Sequence, residues 1–385
     1  TAGIAGRVQP PDGNHLEESG GDGGMKWEIA KLGKIAIIRT GKLDSNAAVI
    51  GGRYPFFTCD PNTLSIDVWA YDTEAVLLAG NNASGNYTAK YYKGKFNAYQ
   101  RTYIIESANE EELNIRYLYY ALNQQLRLLK TMSSGSTTKF LTIRMLDNLD
   151  IPLIGINIQT QIVNILSAYD DLIENNQKQI KLLEEAAQRI YKEWFVDLRF
   201  PGHENTKIVD GVPEGWSRGL LKELISVNYG KDHKKAPDDG NIPVYGSGGL
   251  MRKCNKSLFS GEAVLIPRKG SLNNIMYVDE TFWTVDTMFY ATMKQPHTAV
   301  FVYFFVKAFD MYSMNIGAAV PSMTTKILDA MDVVIPDKET LEKFDKLTKT
   351  YFNKIKTLQG QNERLKTARD LLLPKLMYET QKGDF

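Results

Sequence analysis

The sequence predicts an α+β protein in which one plan is used twice. Two similar mixed α/β lobes are separated by two long helices that pack on each other within the chain as a coiled coil. Two observations lead there. The first is an internal repeat. Trp27 leads after fourteen residues to Gly41-Lys42, and Trp216 leads after fourteen to Gly230-Lys231, an offset of 189. Pro55 then matches Pro243 and Val76-Leu77 matches Val264-Leu265 at 188, Thr102 matches Thr287 at 185, and Gly135 matches Gly317 at 182. Small loop deletions account for the drift, and a period this long indicates a duplicated globular unit instead of a solenoid. The second observation is that each copy passes a proline (Ile151-Pro152, Ile335-Pro336) and enters a sustained heptad pattern.

The elements follow in order. In the first copy, 34–39, 75–78 and 99–105 read as strands, broken by Gly51-Gly52, Asp60-Pro61-Asn62 and Gly80-Asn81-Asn82. Residues 110–131 read as a helix with Leu113, Tyr117, Ala121 and Leu128 near one face. In the second copy, 263–266 and 283–293 read as strands. Residues 298–309 fit helix or strand on periodicity, and the analogy with 110–131 favours a helix.

The heptads are clearest. Ile162, Leu166, Tyr169, Ile173, Asn176, Ile180, Leu183, Ala187, Ile190 and Trp194 alternate spacings of four and three. So do Phe344, Thr348, Tyr351, Ile355, Leu358, Asn362, Leu365, Arg369, Leu372 and Leu376, at an offset of 182. An a/d seam held this long winds helices around one another, and one Asn in each seam suits register control. Thr348 and Arg369 interrupt the second seam, which predicts a stretch facing a partner or solvent. From Ile162 to Trp194 the helix would run about 48 Å, enough to hold two lobes about one duplex turn apart or slightly more.

The boundaries are a leader or vector-derived remnant over 1–24 with Met25 as the start, a first lobe over 25–157 and a spacer helix over 158–198. A linker over 199–213, a second lobe over 214–337, a second spacer helix over 338–377 and a tail over 378–385 complete the chain. At 385 residues, 43% apolar and 11% aromatic, the chain can hold several real cores. A net charge of +1 means that any nucleic acid must meet local basic patches. Cys59 and Cys254 make neither a zinc site nor a disulfide framework, which suits the cytoplasm. No run of 18 apolar residues points to a membrane span.

Catalytic constellations are missing from the pattern. There is no phosphate-binding Walker loop, no Asn/Asp-Pro-Pro-Tyr/Phe methyltransferase motif and no HExxH, and Gly246-Ser247-Gly248-Gly249 reads as a turn. Asp232-His233-Lys234 is the one D-x-K, without a Pro-Asp partner, and leaves a nuclease as an outlying alternative.

What stands out is the makeup of matched loops. Lys231, His233, Lys234 and Lys235 follow Gly230, Arg252 and Lys253 follow the Gly-Ser-Gly-Gly turn, and Arg268, Lys269, Asn273 and Asn274 follow the strand at 263–266. In the first copy Lys42, Asn81, Asn82, Asn86, Tyr87, Lys90, Lys93 and Arg101 form the corresponding set. Cations neutralise phosphates, while Asn and Arg make paired hydrogen bonds to base edges. Two small-residue loops complete the candidates, one with Ser136 and Lys139, the other with Ser322 and Lys326. Each lets a backbone approach a phosphate, or caps a short helix.

With these features the chain resembles the specificity subunit of Type I restriction–modification enzymes over residues 27–377. The resemblance implies two target-recognition domains, each reading half of a split double-stranded DNA site, and an intramolecular antiparallel coiled coil that sets their spacing and docks the methylation subunits. It also implies two methylation subunits holding S-adenosylmethionine, and restriction/motor subunits using ATP and Mg, with no cofactor or catalysis in this chain. Asn81-Asn82 stands opposite Lys269-Gly270, so the half-sites are expected to differ. A coiled-coil scaffold with protein-binding lobes is the alternative.

Overall fold

The computed structural model describes residues 28–82, 87–132, 139–314 and 322–378. Trp27, Asn86, Gly135, Ser136, Gly317 and the segments 1–24 and 379–385 lie outside the described residues. The chain divides into two compact units, one of residues up to Asp171 with Leu365 onward, the other Leu172–Arg364. Each holds one lobe and a stretch of both long helices.

In the first unit a six-stranded sheet runs in the order Ala36–Thr40, Thr102–Ser107, Tyr71–Ala79, Ala89–Ala98, Tyr54–Phe57, Leu64–Ile66. All neighbours are antiparallel except Tyr54–Phe57 beside Ala89–Ala98. The sheet curls, so that the Tyr71 hydroxyl donates to Thr40 O at 3.3 Å and the Thr102 hydroxyl to Phe57 O at 3.2 Å. Alternate residues of the strands therefore fill two cores. Phe57, Ala75, Leu77, Phe96, Ala98 and Ile104 close the inner one. Val76, Leu78 and Ile105 meet the helix Ile115–Met132 on the other face.

The second unit repeats this order: Ile225–Tyr229, Met288–Met293, Phe259–Pro267, Met276–Thr284, Ile242–Gly246, Gly249–Cys254. Its one parallel pair is again the equivalent one, Ile242–Gly246 beside Met276–Thr284. Register confirms the duplication. Pro55 pairs with Ser65 and Pro243 with Lys253, while Glu28 pairs with Leu153 and Ser217 with Ile335.

Several sequence expectations shift. Residues 34 and 35 belong to a helical turn, Leu32–Ile35, before the strand begins at Ala36. The run 99–105 opens as a tight turn closed by Thr102 N donating to Tyr99 O at 2.8 Å. The run 283–293 is two strands, with Met288 N donating to Val285 O at 2.9 Å at the turn between them. This turn equates Thr102 with Met288, one residue beyond the Thr287 expected. The helix expected from 110 begins at Ile115, because Asn114 accepts from Arg116 N at 2.9 Å and caps it. Near its end Leu128 turns outward and Leu129 is buried, since the core lies along the line of Leu118 and Leu122. Ala299–Lys307 is helical as expected, and buried on nearly every side.

The long helices are Ile156–Tyr191 and Lys338–Tyr378. In the first unit Ile162 and Leu166 share a core with Leu373 and Met377. In the second, Ala187 and Tyr191 share one with Leu341 and Phe344, and Asn176 bonds Asn362. Numbers rise along one helix as they fall along the other, so the pairing within each unit is antiparallel. Of the seam, Ile173, Asn176, Ile355, Leu358 and Asn362 are buried, while Tyr169, Ile180, Leu183, Ile190, Tyr351, Leu365 and Leu372 are half-buried. The interrupting residues face inward, contrary to expectation. Thr348 is fully buried and its hydroxyl donates to Phe344 O at 2.8 Å, which satisfies it within its own helix. Arg369 donates to Asp170 Oδ1 at 2.5 Å, so a cation is accommodated by a carboxylate on the other helix.

Candidate nucleic-acid interface

Three strand ends converge on one rim of the first lobe. Thr40 ends one strand opposite Tyr103, and Ala79 ends another opposite Thr102. Backbone bonds then hold the loops together. Gly41 N donates to Thr102 O at 3.1 Å, Gly80 N to Arg101 O at 2.8 Å, and Leu141 N to Gly80 O at 2.8 Å. Asn81–Asn82 pairs with Lys139–Phe140, Asn82 opposite Lys139. The rim therefore gathers Lys42, Asn81, Asn82, Arg101 and Lys139, with Lys42 and Arg101 exposed.

The second lobe builds the same rim with the same bonds. Gly230 N donates to Met288 O at 3.0 Å, Arg268 N to Thr287 O at 2.8 Å, and Met323 N to Arg268 O at 2.9 Å. Lys231 thus corresponds to Lys42, Arg268 to Gly80 and Lys269 to Asn81. The two entry glycines are required. A Cβ on Gly41 would lie 2.1 Å from Ala98 O, and one on Gly230 2.0 Å from Val285 O.

Lys231, Lys234, Lys235, Lys253 and Lys269 are exposed, and among the described residues none pairs with a carboxylate. Asp232 caps the turn His233–Lys235 by accepting from Lys234 N at 3.0 Å. No group of three His, Cys, Asp or Glu that could hold a metal occurs among the described residues. No helix among them is long and apolar enough to cross a membrane. Both cysteines are free.

Other candidates hold the fold instead of offering a free group. Tyr87 is 4% exposed in the core beneath the sheet. Lys90 lies half-buried, donating to Asp60 O at 3.0 Å, and burial lowers its pKa. Lys93 pairs with Glu74 at 2.7 Å, which raises its pKa. Arg252 is saturated, reaching Asp238, the His233 carbonyl and ring nitrogen, and Ala236 O at 2.8 Å. It ties the loop after Lys231 to the strand Gly249–Cys254. Asn273 donates to Asp310 at 2.9 Å and accepts from Met311 N at 2.8 Å, while Asn274 donates to Ser247 O at 2.8 Å.

The small-residue loops are not equivalent at their lysines. Thr142 caps Ile143–Asp147 and Thr324 caps Thr325–Asp329. Lys326, exposed on its short helix, therefore matches Arg144, whereas Lys139 is a strand residue; Ser322 is half-buried ahead of the cap. Sequence reasoning missed Tyr229, 53% exposed beside Arg268. Its place just before the required Gly230 was the available signal.

Residues 25–185 and 213–367 match the family described as the Type I restriction modification DNA specificity domain. The chain belongs to that family. The matched segments begin 188 residues apart and end 182 apart, which is the drift of the repeat. Among specificity-subunit relatives, that of the Escherichia coli EcoDI enzyme is 32% identical over 216 residues, 50% of this chain and 47% of that protein. The match thus spans about half the length of that relative. The MjaIX specificity subunit of Methanocaldococcus jannaschii is 26% identical over 305 residues, 68% of each chain. The crystal structure of a Type I restriction–modification S subunit from M. genitalium has the same fold, with a TM-score of 0.59 at 20% identity over 92% of this chain and 97% of that one.

Proposed function

We propose that this chain is the DNA-recognition subunit of a Type I restriction–modification complex, each lobe reading one half of an asymmetric bipartite duplex site. The observation that carries the reading is the repeated rim. Lys42 and Lys231 stand at equivalent places, as phosphate contacts shared by both lobes require. Asn81 corresponds to Lys269, as unlike base contacts require. Membership of the specificity-domain family supports the same reading. On this view the chain is not itself catalytic. Two methylation subunits hold S-adenosylmethionine, restriction/motor subunits use ATP and Mg, and the long helices dock the former and set the spacing of the half-sites. The complex works in the cytoplasm.

Methylation mapping with the reconstituted complex tests this. Two unlike half-sites separated by a fixed non-specific spacer are expected, and a single uninterrupted motif refutes the proposal. Inserting one heptad in both long helices changes the spacer length. Lys231→Ala and Lys269→Ala weaken binding, and removing one phosphate-binding cation lowers the salt slope by about one.

A further inference from the structure

The two rims differ most at one position. The same backbone bonds hold Gly80 and Arg268. A Cβ on Gly80 would lie 2.4 Å from Arg101 O and 2.9 Å from the Tyr103 ring, so the first lobe has no room for a side chain there. The second lobe places an arginine. Its guanidinium carbon lies 4.9 Å from the centre of the Tyr229 ring and 5.1 Å from that of Phe289. One terminal nitrogen donates to Asp286 O at 2.8 Å. No carboxylate pairs with this cation among the described residues, in contrast to Arg252. Its Nε is buried without a hydrogen-bond partner. The two rings and one carbonyl thus hold an uncompensated guanidinium at a surface where Tyr229 is 53% exposed.

We propose that Arg268 reads a guanine in the half-site of the second lobe, and that the first half-site has no counterpart to it. The inference rests on the DNA-recognition reading above. Nε is buried and one Nη1 hydrogen is given to Asp286 O, but Nη1 still carries a second hydrogen beside those of Nη2. The two terminal nitrogens thus supply a fork of two parallel donors, and guanine alone offers two adjacent acceptors, O6 and N7, at its major-groove edge. Adenine presents a donor beside its N7 and rejects the fork. Stacking on Tyr229 and Phe289 fixes the fork before DNA arrives, so less side-chain freedom is lost on binding. A phosphate could accept from the same fork but would carry no sequence information.

The test compares Arg268→Ala, Arg268→Lys and Lys231→Ala in the reconstituted complex, with thermal unfolding confirming the fold. Binding is measured on the recognition site and on sites with each guanine replaced by adenine. The unaltered complex is expected to lose about 10- to 100-fold at one guanine of one half-site. Arg268→Ala is expected to lose that discrimination alone and to methylate a motif relaxed at that one position, whereas Arg268→Lys, whose ammonium can still donate to O6 and N7 without the planar fork, keeps part of it. Uniform weakening on all sequences with a lower salt slope identifies a phosphate contact and overturns the proposal, as does an unchanged motif. If Lys231→Ala weakens binding while the Arg268 variants keep the full motif, the guanine assignment fails and the DNA reading stands. If no variant affects DNA binding, the DNA reading of this rim fails with it.

Discussion

Asn176 donates through its side-chain amide to the Oδ1 of Asn362 at 2.9 Å, and the two residues are 3% and 5% exposed. Each seam therefore supplies half of one buried polar pair. The positions related to them by the repeat offset of 182 are Leu358 and Ile180, both apolar. The pair is a departure from the duplication, and it gives the antiparallel helices one alignment in which neither amide is left unsatisfied.

Replacing Asn362 alone with Leu strands the amide of Asn176 in an apolar seam. We expect a loss of about 1–3 kcal/mol, read as a lower urea midpoint. Replacing both asparagines with Leu restores most of the stability and loosens the register. A double variant no more stable than the single one would contradict the pairing argument.

Asp170 accepts from Arg369 at 2.5 Å and from the Tyr120 hydroxyl at 2.5 Å, joining both long helices to the helix of the first lobe. Burial disfavours the Arg369 charge, but Asp170 and Asp370 outweigh it and raise its pKa. At the repeat-related positions the second unit has Phe352 and Ala187, with the Phe352 ring 5.9 Å from that of Tyr303. At these positions the attachment is ionic in one unit and aromatic in the other. A double-mutant cycle of Asp170→Asn and Arg369→Gln is expected to give a coupling of about 1–2 kcal/mol. A cycle at Phe352 and Tyr303 keeps its coupling in high salt, whereas that of the ionic pair falls.

Asp337 caps the second long helix. It accepts from Thr340 N at 2.9 Å, from the Thr340 hydroxyl at 2.7 Å and from Trp216 Nε1 at 2.9 Å. Burial would raise its pKa, but these bonds prevail and hold it below the ordinary 3.8. A carboxyl depressed in the fold contributes stability above its unfolded-state pKa and loses it as pH falls through the folded value. Asp337→Ala should cost about 1 kcal/mol at pH 7. The gap from the parent should narrow as pH drops below about 4, as followed by urea unfolding at stepped pH.

Gly230→Ala puts a methyl 2.0 Å from Val285 O, and Gly41→Ala puts one 2.1 Å from Ala98 O. Backbone must move in each case. We expect each to destabilise its lobe by about 1–3 kcal/mol, while Gly248→Ala, which meets nothing within 4 Å, leaves the melting temperature almost unchanged.

The duplication, the α+β class and both seams were legible in the chain before any folding, because these rest on periodicity and residue order. Pro55 and Pro243, or Ile173 and Ile355, could be matched without coordinates. The turns were less legible. Residue type matches Thr102 to Thr287, but a tight turn is defined by its backbone bond, which equates Thr102 with Met288.

Which polar groups remain available is settled only in the folded molecule. Lys93, Arg252 and Asn273 read as binding residues by type, yet Glu74, Asp238 and Asp310 claim them. Arg369 breaks the apolar seam in sequence, and in the fold Asp170 stands opposite it. An ionisable side chain is free or occupied according to its neighbours in space, and those come from strands and helices distant in the chain.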